Sequence, residues 1–289
     1  MPQHTSIGFL HPGAMGVSLA ASAMATGCEA CWVSAGRSSA THARAEEHKL
    51  TPLSSLEELA ARCSLIVSIC PPSAAETVLR SVLEAGFAGA YLDANAISPM
   101  RATALSKICV EAGVKYIDGS VIGGPAWQPD ETVMYLSGPN ADEVAACFQD
   151  GLLVTRVIGY QPDRASALKA CYAAYTKGST AMLCAVVAAA SALGVESELA
   201  AQWDTDDAGS STRTLNRIRR VTAKAWRFEG EMEEIAATMR EVGIPDGFHI
   251  AAAEVYSRIA GFKDHDSLPD LNVVISELLM NSSRLGTRD

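Results

Sequence analysis

The stretch Ile7–Gly16, IGFLHPGAMG, constrains the fold more than any other part of the chain. A short apolar run, Ile7, Phe9 and Leu10 with Gly8 inside it, reads as a buried parallel strand. The small residues after Gly13 read as the start of a helix. Set against G-x-G-x-x-G, the three glycine places fall on His11, Gly13 and Gly16. Gly13 lets the backbone approach a pyrophosphate, and Gly16 lets the helix pack close to the strand. His11 stands where a tight turn normally takes glycine, and His tolerates unusual backbone angles better than most residues. Pro12, Ala14 and Met15 complete the loop. The pattern fits a dinucleotide-binding loop, and also an ordinary strand–turn–helix with two well-placed glycines.

A second strand-like segment, Ala30–Ala35, ends in Gly36-Arg37-Ser38-Ser39. In a dinucleotide fold the residue about 20 positions past the glycines meets the adenine ribose, and an acid there holds the free 2′-hydroxyl of NAD. No acid lies between Val33 and Ser39. Arg37 and Ser38 offer a guanidinium and a hydroxyl, and a guanidinium grips phosphate through a charge-assisted fork. The expected cofactor is NADP.

Residues 1–160 alternate short apolar strands with helices and Gly/Pro/Ser turns, the pattern of a doubly wound parallel sheet. Strands are expected at 6–10, 30–34, 65–69, 90–93, 115–120 and 133–137, with an edge strand at 154–158. Gly159–Pro162 reads as a hinge, and Asp163 as the cap of a long Ala-rich helix over 164–193. Beyond it the pattern is helical: 196–203, 210–226, 229–242, 246–260 and 269–282. The expected fold is α/β: a Rossmann-like NADP-binding domain over 1–160, then a long connecting helix and a small all-α domain within 161–289.

Composition narrows the partners. A net charge of −10 argues against a nucleic-acid partner. The longest apolar stretch, Ala181–Val195, is shorter than the roughly 20 residues of a membrane helix, so no membrane partner is expected. The N-terminus lacks a basic n-region, and the expected location is cytoplasmic and reducing. The eight cysteines suit that compartment as small buried hydrophobes. Cys28 and Cys31 have redox-motif spacing but lie between a helix and a strand instead of opening a helix. His42 and His48, flanking Glu46 and Glu47, read as a solvated helix face, and no metal is expected.

Further segments follow in order: Leu65–Cys70 with Pro71-Pro72; Leu92-Asp93-Ala94-Asn95-Ala96-Ile97-Ser98-Pro99; Tyr116-Ile117-Asp118-Gly119-Ser120-Val121-Ile122-Gly123-Gly124-Pro125; and Leu168-Lys169. This series resembles the 3-hydroxyacid dehydrogenase superfamily, which includes 3-hydroxyisobutyrate and 6-phosphogluconate dehydrogenases and the imine reductases. Gly230-Glu231-Met232-Glu233-Glu234-Ile235 marks a subgroup with a short helical C-terminal domain.

The resemblance implies hydride transfer at a C–OH/C=O carbon of a small β-hydroxyacid or relative, with Lys169 as general acid/base and Tyr172 beside it. Partial burial would lower the Lys169 pKa towards working pH. Cys70, Pro71, Pro72 and Asn95 would meet the cofactor. Ser98, Ser120, Ile122, Gly123, Gly124 and Lys177 would line the substrate. The connecting helix would pack a homodimer.

Two departures bear on the substrate. Tyr172 and Ala173 stand where the family carries asparagine, and Ile122 where it carries serine. Reduction of C=N, as in imine reductases, is therefore an alternative, and so is NADP binding without turnover. Arg213–Arg227 reads as a basic helix face, and His249 and Tyr256 share one face of a later helix.

Overall fold

The computed structural model describes residues 5–263 and 267–279. Eight strands form one sheet: β1 (Ser6–Phe9), β2 (Glu29–Val33), β3 (Thr51–Leu53), β4 (Leu65–Ser68), β5 (Ala90–Asp93), β6 (Lys115–Ile122), β7 (Val133–Ser137) and β8 (Val154–Val157). Their spatial order is β3-β2-β1-β4-β5-β6-β7-β8. The strands from β3 across to β6 are parallel, β7 runs antiparallel to β6, and β8 runs parallel to β7. The order reverses between β1 and β4, and loops that open at that reversal form the crevice where such sheets bind ligands.

Helices cover both faces because each strand is apolar on both sides. On one face, Ile7, Phe9, Val67, Leu92 and Ile117 pack with Val17 and Leu19 of α1 (Ala14–Ala25) and Ala45 of α2 (Ser39–Glu47). On the other, Ile66, Tyr91 and Tyr116 pack with Leu59 of α3 (Leu56–Arg62), Leu79 of α4 (Ala75–Glu84) and Leu105 of α5 (Pro99–Glu111). A short α6 (Ala141–Ala145) lies between β7 and β8.

The remaining helices are α7 (Arg164–Leu193), α8 (Glu196–Asp206), α9 (Ser210–Glu241), α10 (Gly247–Arg258) and α11 (Leu271–Leu279). The chain divides into two compact units between Ala170 and Cys171, inside α7. The first turns of α7 belong to the sheet because β6 and β7 hold their amides, as described below. By length and composition α7 is apolar enough to cross a bilayer, with a mean hydropathy of 1.3. It also carries Arg164, Lys169 and Lys177.

Three local expectations change. β3 carries no alternation that a sequence reading would notice, and its Pro52 is tolerated because the strand is at the sheet edge. The segments 210–226 and 229–242 are one helix, α9, because the buried stripe Ile218, Thr222, Ala225, Met232, Ile235 and Ala236 continues at helical spacing. Phe228, at the expected break, packs edge-on against Tyr256 of α10 with ring centroids 5.3 Å apart. Finally, His42 and His48 are not simply solvated. His42 meets Trp32 edge-on at 5.1 Å and His48 stacks on Trp127 at 4.7 Å. The end of the expected helix 269–282 falls outside the described residues.

Candidate active site

The carboxyl ends of the parallel strands bring the N-terminal motifs together. At β1, the Gly13 amide donates to the His11 carbonyl at 2.8 Å, closing the turn that launches α1. A Cβ on Gly16 would lie 2.2 Å from the His11 carbonyl oxygen, so glycine is required for that close approach. A Cβ on Gly13 would meet nothing within 4 Å, so its surroundings are open. Gly13 is also the N-cap of α1 and supplies no side-chain oxygen to the helix's first amides. Uncapped amides at Ala14, Met15 and Gly16, beside an open glycine, fit a pyrophosphate.

Two placements differ from expectation here. His11 does not adopt a left-handed backbone; among described non-glycine residues only Lys49 and Asp130 do. Its Nδ1 is buried without a hydrogen-bond partner among the described residues. Burial, and then the Arg37 charge, push its pKa down to about 4, so the ring is neutral at pH 7. Gly8 lies within β1, not in the loop. A Cβ there would strike Leu59 of α3 at 2.5 Å, so its small size serves packing.

At the end of β2, Arg37 Nη2 donates to the Leu10 carbonyl at 3.0 Å. From α2, Arg44 Nη1 donates to the Pro12 carbonyl at 3.3 Å. Two guanidinium groups therefore brace the glycine loop from the side where an adenine ribose would lie. Arg44 is 7 residues past Arg37 and was not singled out from sequence, because a helical arginine carries no signal of its own. Ser38 is the N-cap of α2, accepting the Thr41 amide at 3.3 Å.

The loops after β4 and β5 are tied to each other. Asn95 Oδ1 accepts the Cys70 amide at 2.6 Å, and Asn95 Nδ2 donates to Ser68 Oγ at 3.2 Å. Asn95 thus shapes the Cys70–Pro72 loop with its side chain. Arg101 Nη2 donates to the Pro72 carbonyl at 2.8 Å from the far side. Burial pushes the Cys70 thiol up to about 11, so it stays protonated at neutral pH. Ser98 is the buried N-cap residue of α5.

β6 runs out into Gly123 and Gly124. Gly123 has φ +122°, and a Cβ there would lie 2.5 Å from the Glu131 carbonyl oxygen. Gly124 is open on its Cβ side. Ser18 of α1 anchors the segment by accepting the Ala126 amide at 3.0 Å, a link between α1 and the loop after β6 that the sequence did not reveal. Ser120 is buried, and its Oγ has no partner among the described residues. Ile122 is half-buried.

Across the same edge, strand register aligns four polar residues: Ser68 with Asp93, Asp93 with Asp118, and Asp118 with Ser137. Burial drives both carboxyl groups up, Asp93 to about 6 and Asp118 to about 7, against the donors that bond them. Asp93 Oδ1 accepts the Asn95 amide at 3.0 Å. Asp118 Oδ2 accepts the Ser166 amide at 2.9 Å and the Ser137 hydroxyl at 3.2 Å, and Oδ1 accepts the Ser166 hydroxyl at 2.6 Å. The Ala165 amide donates to Ser137 Oγ at 3.0 Å. The first amides of α7, expected to cap on Asp163, are capped by the sheet. Half-buried Lys169 follows Ser166 by one turn.

The helical unit has its own polar cluster. Lys177 of α7 forms an ion pair with Glu231 of α9, and its Nζ lies 4.3 Å from the centre of the Phe228 ring. The Tyr256 hydroxyl donates to the Lys177 carbonyl at 2.7 Å. Burial pushes the Tyr256 phenol above its usual range. Glu231 of the Gly230–Ile235 segment thereby acquires a structural partner. Arg217 donates to Thr180 Oγ1 at 2.7 Å, the Thr176 carbonyl at 2.6 Å and Ser179 Oγ at 2.8 Å. With Arg213, Arg220 and Lys224 it lines an open cavity of about 520 Å³. His249 is buried, close to Gly178. On α7, Tyr172 is 49% exposed and Ala173 is buried.

Residues 6–149 match the NAD binding domain of 6-phosphogluconate dehydrogenase, and residues 190–259 match a domain of unknown function, DUF1932. No curated protein matches in sequence. Among solved structures, a conserved protein of unknown function with structural similarity to 3-hydroxyacid dehydrogenases is 24% identical, with a TM-score of 0.68 over 93% of this chain and 99% of that one. Mycobacterium tuberculosis 3-hydroxyisobutyrate dehydrogenase with L-serine is 17% identical, with a TM-score of 0.71 over 96% and 100%. A reductive aminase from Aspergillus terreus in complex with NADPH and ethyl levulinate is 18% identical, with a TM-score of 0.57 over 95% and 99%.

Proposed function

We propose that the chain, whose N-terminal part matches the NAD binding domain of 6-phosphogluconate dehydrogenase, is a member of the 3-hydroxyacid dehydrogenase superfamily and an NADP-dependent oxidoreductase acting on the C–OH/C=O carbon of a small β-hydroxyacid or relative. The observation that carries this reading is the placement of Lys169, one turn beyond a Ser166 held at the end of the sheet. The nicotinamide exchanges the hydride when bound. Lys169 Nζ gives a proton to the substrate oxygen in reduction and takes it back in oxidation. Gly123 and Gly124 follow β6 and offer backbone to a substrate, and the Asn95 side chain keeps the Cys70–Pro72 loop in place.

NADP is favoured over NAD by two cations and no acid at the ribose end. Arg37 and Arg44 each spend one nitrogen on a loop carbonyl and keep others for a 2′-phosphate. Binding of NADPH and NADH, followed by nicotinamide fluorescence, tests this. Losing a charge-assisted contact costs about 1.5–3 kcal/mol, so Arg37→Ala should weaken NADPH by roughly 10- to 100-fold and leave NADH nearly unchanged. Equal loss for both cofactors would reject the assignment.

Half-buried Ile122 and buried Ala173 leave two places without a polar grip, which supports reduction of C=N as the second reading, with exposed Tyr172 as the proton donor. Turnover of NADPH and NADP against hydroxyacids, ketoacids and cyclic imines separates the readings. Carbonyl or hydroxyl turnover that collapses in Lys169→Ala supports the dehydrogenase. Imine turnover that survives it moves the donor to Tyr172. NADPH binding without turnover leaves a cofactor-binding protein. A cytoplasmic homodimer completes the proposal, without nucleic-acid or membrane partners. Its supports are eight cysteines that form no disulfide among the described residues and an α7 that exposes Tyr172, Met182, Val186 and Leu193.

A further inference from the structure

We propose that Asp118 is a positioning residue for the reaction: its carboxylate caps the N-terminus of α7 from the middle of β6 and so fixes where Lys169 stands. The inference rests on the reading of Lys169 as the proton-handling group.

The geometry is unusual for a long helix. The early amides of α7 have no partner within the helix and need an outside acceptor. A local cap would come from the residue just before the helix. Here the acceptors come from two strands of the sheet, Asp118 for Ser166 and Ser137 for Ala165. Ser166 is held twice, by amide and by hydroxyl, to the two oxygens of one carboxylate. Two bonds to one residue fix the rotation of the helix about its axis as well as its origin. Residues three apart share a helix face, so that rotation determines where Lys169 points. A negative charge at the amino end is also where the helix dipole favours one.

A hydroxyl or an amide could cap more cheaply than a buried acid, because both avoid the desolvation of a charge. Asp118 nevertheless accepts three hydrogen bonds, which only an ionised carboxylate can do while donating none. A proton on Oδ2 would set a donor against the Ser166 amide, and a proton on Oδ1 would turn the Ser166 hydroxyl from donor to acceptor. The group also titrates near neutrality. The ionisable and charged groups around it are Asp93 on β5, Tyr116 on its own strand, Tyr135 on β7, Arg101 on α5 acting on Asp93, and Arg164 and Lys169 on the first turns of α7. Asp93 opposes the ionisation of Asp118. The Ser166 bonds favour the ionised carboxyl while burial disfavours it, so with Asp118 still enclosed the latch is tighter above neutral pH, even though the whole fold is less stable there.

The test compares wild type with Asp118→Asn, Asp118→Ala and Ser166→Ala in the full chain. Hydrogen exchange of the 165–169 amides, corrected for intrinsic rates, is followed from pH 6 to 8.5. Wild type should lose roughly tenfold protection towards pH 6, the scale of one charged hydrogen bond. Asp118→Asn keeps an acceptor for the Ser166 amide and should hold one pH-independent level. Asp118→Ala should be unprotected throughout. Ser166→Ala removes one hydroxyl bond, leaves the packing alone, and should fall between; it serves if Asp118→Ala does not fold. With whichever substrate the turnover panel identifies, Asp118→Ala should lower kcat about tenfold with the KM for NADPH unchanged, and Asn should restore most of it. Protection in Ser166→Ala and Asp118→Asn that matches wild type at every pH would overturn the proposal. Exchange is read without turnover, so failure of the latch and failure of Lys169 as the proton carrier are distinguishable.

Discussion

The two units of this chain solve the same problem, a charged group kept from water, by different means. In the sheet unit, Asp93 and Asp118 are fully enclosed and rest on backbone amides and serine hydroxyls. In the helical unit, Lys177 and Glu231 keep 21% and 15% of their side-chain surface and rest on each other. The difference follows from where backbone donors are free. A strand end and a helix N-terminus expose unused N–H groups that converge on one point, whereas a helix interior has already bonded every amide to itself. A charge packed between helix flanks must therefore find a charged side chain, a ring face or the rare carbonyl, as Arg217 does on α7. Acceptors at a sheet end can organise a reaction site; pairs between helices mostly fix packing.

The sharpest way to break that contrast is at Lys169 and Lys177, eight residues apart on one helix. Lys169→Ala should reduce turnover by about 10²- to 10⁴-fold, the range of a lost general acid/base, with little change in melting temperature. Lys177→Met should act on stability instead. Stranding Glu231 should cost about 2–4 kcal/mol in urea unfolding, and adding Glu231→Leu should recover most of it. If Lys177→Met instead abolishes turnover in a folded protein, the helical pair belongs to the chemistry and the contrast fails.

A smaller effect is expected at the glycine loop. Gly16→Ala forces a Cβ against the His11 carbonyl, and the strain should cost about 1–3 kcal/mol together with a clear loss of NADPH affinity. Gly13→Ala, with open space around its Cβ, should leave stability nearly unchanged and weaken only cofactor binding. Calorimetry with and without NADPH separates the two.

The smallest expected effect is in pH dependence, where the sheet unit carries opposing signs. Asp93 and Asp118 titrate higher folded than unfolded, so the stability they contribute is complete below about pH 4 and is lost as pH rises towards 7. His11 titrates lower folded than unfolded, so its contribution is present above pH 6.5 and is lost as pH falls towards 4. Asp118→Asn should thus gain on wild type by about 1 kcal/mol or more between pH 5 and pH 8. A constant difference across that range would show that Asp118 does not titrate in the fold.

The strand–loop–helix order of the N-terminal half was legible because each element declares itself within a few residues. Apolar runs, turn glycines and the Pro71–Pro72 and Ser98–Pro99 breaks lie next to what they punctuate. β3 was missed because three edge residues bury too little to leave a pattern. The break expected within α9 was wrong because its apolar stripe makes sense only once α10 lies against it. The Gly123–Gly124 segment could be placed from sequence, but its anchor, Ser18, could not, because the two are 108 positions apart.

By itself, then, the sequence determined the sheet (apart from its edge strand β3), its helical coverings, the glycine loop and the long helix that carries Lys169, since these depend on local spacing and on which residues avoid water. Only the tertiary structure decided that strand register would line up Ser68, Asp93, Asp118 and Ser137, and that Asp118 and Ser137 of this row would take over the capping of α7. It also decided that Glu231 would meet Lys177. Those contacts join residues 54 and 48 positions apart, and hydrogen bonding at such separation is set by how the elements pack and leaves no trace along the chain.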